Sequence, residues 1–206
     1  MSDRTPELNE ARDPPNATAM DPGAFFASGP DESLTRRAVL HWCEVGVRDG
    51  LVRAAARLQL EMSAEEQPRY LPVEEAWVQR WSGGSRAELS LHMSADDEDD
   101  LIHGVLATST RPVEPSREIV MEVANLVLNG LSATLSRALD LKVQSSLPRR
   151  LTQPRGVEVV RTAWIVRIGQ REARMQVSLR VPEAELSTFR RRLGNSLAAM
   201  MELAAP

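Results

Sequence analysis

The chain has 206 residues, a formal charge of −4 and apolar and charged contents of 42% and 26%, values of a globular chain long enough for one sizeable core. Basic residues are scattered among acids apart from short runs such as Arg190-Arg191-Arg192, so nucleic acid is excluded as an expected partner. A single cysteine, Cys43, rules out an intrachain disulfide and a Cys-based metal site, and reads as a small core residue.

Residues 1–33 carry Pro6, Pro14, Pro15, Pro22 and Pro30 among polar residues, with little to bury against the entropy of ordering, and are expected to form a disordered tail. Phe25 and Phe26 interrupt it as a paired aromatic. The start of the chain lacks a signal-peptide pattern and no run reads as a bilayer span, so a cytoplasmic protein without a membrane span is expected. From 34 to 62, Val39, Trp42, Cys43, Val47, Leu51, Ala54, Ala55 and Leu58 follow a helical period, and Gly46 and Gly50 weaken its middle. Residues 67–72 read as a connector. A hairpin follows, with strands over 73–81 and 86–93 around Ser82-Gly83-Gly84-Ser85.

Five acids, Asp96 to Asp100, precede Leu101, Ile102, Val105 and Leu106. They lack the alternating spacing and glycine of a calcium loop, while acids suit a helix N-terminus, so the run is read as a helix start. After a loop at 112–115, Ile119, Val120, Val123, Leu126, Val127, Leu131, Leu135 and Leu139 recur every three or four residues and predict a second long helix over 116–141. A short strand over 141–147 is expected to end at Pro148, followed by a polar loop over 149–155. Strict alternation through Ala173, Met175, Val177, Leu179 and Val181 predicts a second hairpin, 157–168 and 171–181, turning at Gly169-Gln170. Pro182 opens a last helix with Leu186, Phe189, Leu193, Leu197 and Met200 or Met201 on one face.

The order helix, hairpin, helix thus occurs twice, and Gly50-Leu51 with Arg57 echoes Gly130-Leu131 with Arg137 at equal spacing. Two copies of one unit predict a pseudo-twofold α+β domain over 34–206, with two long helices, an antiparallel sheet of hairpins and a C-terminal helix. In the echo, Glu122 and Asn125 fall opposite Trp42 and Val45, so only the second half could hold a polar pair.

Glu122-Val-Ala-Asn125 puts a carboxylate and a carboxamide one turn apart on the second long helix, and twenty-two residues separate Asn125 from Pro148. Neither side chain is a strong nucleophile, and an amide is no base near neutral pH, so the pair suits gripping a partner and orienting a water. Here the chain resembles the CheC/CheX/FliY family of chemotaxis phosphatases, whose motif is an acid or serine, three residues, Glu, two residues, Asn, twenty-two residues and Pro; a single copy of the motif is most like CheX. Gly130 falls where the family helix carries a small residue. Glu118 stands where the family has Asp or Ser, and Arg149-Arg150-Leu151 stands in place of a glycine-containing turn.

The resemblance implies a CheX-like fold and dephosphorylation of the phosphoaspartate of a CheY-like response-regulator receiver domain. It implies that Asn125 orients the attacking water and Glu122 pairs with the receiver's lysine. Glu118 and Pro148 would lie on the partner-binding side. It implies no cofactor of the chain's own, the receiver bringing its Mg2+. A non-catalytic CheX-like adaptor in signalling or motility is the alternative, and a generic ligand-binding domain with a pocket between halves a weaker one. His41, His92 and His103 are isolated and show no ligand spacing. A homodimer is a further expectation, through the last helix or through an edge-like strand at 171–181.

Overall fold

A computed structural model describes residues 32–68, 75–109, 117–152 and 154–204. The tail over 1–31, with Phe25 and Phe26, and the loop over 112–115 lie outside the described residues, as do residues 69–74 between the first helix and the first hairpin.

In chain order the elements are α1 (Glu32–Leu58), β1 (Met62–Gln67), β2 (Ala76–Gly83), β3 (Ala87–His92), α2 (Ala95–Thr108), α3 (Arg117–Ala138), β4 (Val143–Ser145), β5 (Arg149–Leu151), β6 (Val157–Ile168), β7 (Arg171–Val181), a 3-10 turn (Glu183–Glu185) and α4 (Leu186–Ala204). The seven strands form one sheet in the order β1-β6-β7-β3-β2-β4, with β5 also paired to β2, and every pairing is antiparallel. The α+β expectation holds.

Three expectations need correction. The first helix stops at Leu58, and the next residues form β1, a strand that polar Ser63, Glu65 and Glu66 hid from periodicity. Residues 149–151 are no loop but a strand on β2. The alternating strand 171–181 is internal, bonded to β6 on one side and β3 on the other, so it offers no edge to a second copy.

The pseudo-twofold is visible in the helix ends. Leu60 N–H reaches back to the Ala55 carbonyl at 2.9 Å, and Leu141 N–H to that of Ser136 at 2.7 Å. Each end passes through a positive-φ residue, Gln59 at 56° and Asp140 at 48°. This is the Schellman closure, made here without glycine. The halves interlock, because β1 of the first pairs with β6 of the second, while β4 and β5 of the second pair with β2 of the first.

Helices α1 and α3 cross at glycines. A Cβ on Gly130 would sit 2.5 Å from the Gly46 carbonyl oxygen, and one on Gly50 2.5 Å from the Val127 Cα. The glycines that weaken α1 as an isolated helix are what let the two backbones touch. Below them, Val47, Leu51, Val127, Leu128, Leu131 and Leu135 share one core with Leu89, Leu91, Trp164, Val177 and Leu179 of the sheet. Phe189 and Leu193 of α4 are each 1% exposed, so this face is covered within the chain. The side chains of Met200 and Met201 lie outside the described residues.

Candidate functional site

The acid run behaves as a helix start and more. Ser94 caps α2 by accepting from the Asp97 N–H at 3.1 Å, and its hydroxyl donates to the Asp97 carboxylate. Asp97 also accepts from the Arg174 backbone N–H and Nε, at 2.9 and 3.1 Å. Glu98, 5% exposed, accepts from Trp77 Nε1 and from Arg150, which also pairs with Glu75. Arg150, the departure after Pro148, therefore fastens β5 to the start of α2. Among the described residues no group of three or more His, Cys, Asp and Glu is placed to hold a metal ion.

Cys43 is buried, and burial pushes its thiol up to about 12, the behaviour expected of an inert core residue. His92 is also buried, between the Glu75 carbonyl at 3.1 Å from Nδ1 and the Ser90 hydroxyl at 3.0 Å from Nε2. A carbonyl can only accept, so Nδ1 carries the proton and Nε2 accepts from Ser90.

Helix α3 is long and apolar enough to cross a bilayer by length and composition, contrary to the expectation that no run would be. In the fold its apolar side, Ile119, Val120, Val123, Ala124, Val127 and Leu128, is buried, as suits a core helix of a soluble protein. Its other side carries Glu118, Glu122, Asn125 and Asn129 at steps of four, three and four, which places them in one stripe. Glu118 is exposed, Glu122 and Asn125 half-buried, and Met121 beside them is 42% exposed. Glu122 lies 3.6 Å from Arg57 of α1, a pair with both partners in contact with solvent. Neither motif side chain is sealed beneath its own chain. At the matching register of α1, Trp42 is core and Val45 is 43% exposed, so the first half has no second pair.

Asn125 is not free to turn. Its Oδ1 accepts from Asn129 Nδ2 at 3.0 Å, and Asn129 Oδ1 accepts from Gln79 Nε2 at 2.8 Å. Gln79 is 1% exposed, on the helix-facing side of β2 between Trp77 and Trp81. One turn along α3, Ser132 accepts from Trp81 Nε1 and bonds Ser145, both at 2.8 Å. Neither Asn129 nor Gln79 stands out in the sequence as a site residue. The available signal was a lone carboxamide where the alternation Trp77, Gln79, Trp81 faces the core.

Pro148 is buried, in a break between β4 and β5. Ser145 pairs with Trp81 and Arg149 with Val78, so residues 146–148 run beside Gln79 and Arg80. Proline costs this edge no ladder bond, while Ser146 exchanges bonds with Arg80 at 3.0 and 3.1 Å and Leu147 stands 75% exposed. The fixed spacing from Asn125 to Pro148 thus returns the chain to the strand position that anchors Asn129.

Neither a family model nor a curated protein matches the sequence. Solved structures match the fold. FliY of Thermotoga maritima aligns with a TM-score of 0.55 at 10% identity, over 80% of this chain and 98% of that one. The FliM middle domain from H. pylori aligns with a TM-score of 0.54 at 10% identity, over 78% and 98%. At such identity the likeness concerns architecture, and the chain has the fold shared by FliY and the FliM middle domain.

Proposed function

We propose that this chain is a cytoplasmic, CheX-like member of the CheC/CheX/FliY family that removes the phosphoryl group from the aspartate of a CheY-like receiver domain. The observation that carries the reading is the placement of Glu122 and Asn125 in one solvent-reachable stripe of a rigid helix, with Pro148 at the family spacing. Phosphoryl transfer asks little covalent work of a protein, so aligning a water and pairing charge suffices.

In this reading the stripe docks against the receiver's phosphorylated pocket. Asn125, with amide donors and an oxygen lone pair left after its bond to Asn129, holds the attacking water in line with the phosphorus. Glu122 takes the receiver's lysine. Its existing pair with Arg57, whose side chain is 74% exposed, is worth at most about 1 kcal/mol and yields readily. Glu118 adds an edge contact, and Pro148 shapes the turn that offers Leu147. Mg2+ comes with the receiver, and no cofactor of the chain's own is required.

An adaptor that docks a receiver or a flagellar component without chemistry is the second reading, favoured by the fold likeness to the FliM middle domain. Receiver domains charged with acetyl phosphate in Mg2+ separate the two. A catalytic amount of this protein shortens the lifetime of the phosphoryl group on its cognate receiver if it is a phosphatase. Binding at stoichiometric amounts with an unchanged lifetime identifies an adaptor.

A further inference from the structure

A chain of three carboxamides runs from the core to the site. Gln79 Nε2 donates to Asn129 Oδ1 at 2.8 Å, and Asn129 Nδ2 donates to Asn125 Oδ1 at 3.0 Å. The buried end is incompletely satisfied, since Gln79 Oε1 has no hydrogen-bond partner among the described residues. Turning all three amides over would leave the Gln79 amide nitrogen orphaned instead. An orphaned donor group is rarer and more costly than an under-used carbonyl oxygen, so the direction found is the stable one. A terminal amide torsion is otherwise broad and two-fold. Pinned from inside, the Asn125 carboxamide presents one orientation outward.

We propose that Asn129, anchored by Gln79, is a positioning residue that sets the orientation of the Asn125 carboxamide before a partner arrives. Its consequence for turnover rests on the receiver-phosphatase reading; its physical content does not. A buried glutamine between two tryptophans, with one polar atom unmatched, is a poor stabilising choice compared with an apolar residue of like size. It is explicable if its task is to hold Asn129. Asn129 touches neither water nor phosphoryl group in this scheme, and acts only through Asn125.

The test uses the full chain, its Gln79→Leu and Asn129→Ala variants, and side-chain amide relaxation by NMR in the absence of any receiver. In the parent the Asn125 side-chain amide is as ordered as the α3 backbone, and in both variants it becomes mobile. Gln79→Leu melts no lower than the parent, whereas a purely structural glutamine would lower the melting temperature. With a phosphorylated receiver, both variants lose about ten-fold in kcat at unchanged KM, within the range that misplacing a reacting group costs. An Asn125 amide equally mobile in all three proteins overturns the proposal, and so does mobility that leaves kcat intact. A parent with an ordered amide that fails to hasten dephosphorylation overturns the phosphatase reading alone and leaves the relay standing.

Discussion

Two polar residues that sit where apolar ones would fold more easily illustrate opposite uses of burial. Among the described residues the Gln79 side chain bonds only Asn129, so its value lies in what it orients. His92 is instead closed off on the opposite face of the sheet, where Ser90, Gln176 and Ser178 are also buried. Burial pushes its imidazole down to about 4, with Arg180 and Arg161 acting in the same direction and the Glu75 carbonyl and Glu158 against it. A depressed pKa means that the unfolded chain binds the proton more readily than the folded one. The stability from a neutral His92 is therefore fully present above about pH 6.5 and is lost as the pH falls towards about 4, by roughly 3 kcal/mol in all. Urea midpoints of the parent should fall through this window, and His92→Gln should flatten the fall. An identical pH slope in the variant would mean that other groups are responsible.

Among elements, the α1 and α3 crossing governs whether the motif stripe has a rigid base. Gly130 cannot carry a side chain there, since an added Cβ would meet the Gly46 carbonyl oxygen at 2.5 Å and the Gly50 nitrogen at 2.7 Å, both backbone atoms that cannot turn aside. Gly130→Ala, which favours an isolated helix, is expected to cost this protein about 3 kcal/mol, or roughly 6–12 °C in Tm. Calorimetry checks it, and a variant melting at or above the parent would show that the helices part without penalty. The same crossing shows where helical period stops being informative. Gly46, Gly50 and Gly130 look like defects until the partner backbone is in place. The end of α1 was equally hidden, because its stop is Gln59 at positive φ, a residue type that carries no stop signal. By contrast β7 alternates from Ala173 to Val181 and α3 keeps its apolar period for 22 residues, so both could be read directly, whereas β6 carries consecutive apolar residues and a bulge between Glu158 and Val160.

At the scale of the whole molecule, two like units exchange edge strands to make one sheet, and the polar pair rests on the helix of only one of them. The repeat was legible through the echo of Gly50 and Gly130. The exchange was not, since β1 is half acids and glutamine and β5 opens with two arginines, and each becomes a strand only because the other half offers an unpaired edge. Of the site, Glu122, Asn125 and Pro148 could be found by spacing, while Asn129 and Gln79 required the strand and the helix to be seen together. The proposed activity depends on Asn125 reaching into a partner's phosphorylated pocket. The most direct measurement is the lifetime of the aspartyl phosphate on the cognate receiver with the parent protein and with Asn125→Ala, both at concentrations where the receiver is bound. The phosphatase reading predicts rapid loss with the parent and a rate lower by about a hundred-fold or more in the variant, with binding retained. Equal rates in the two proteins would contradict it.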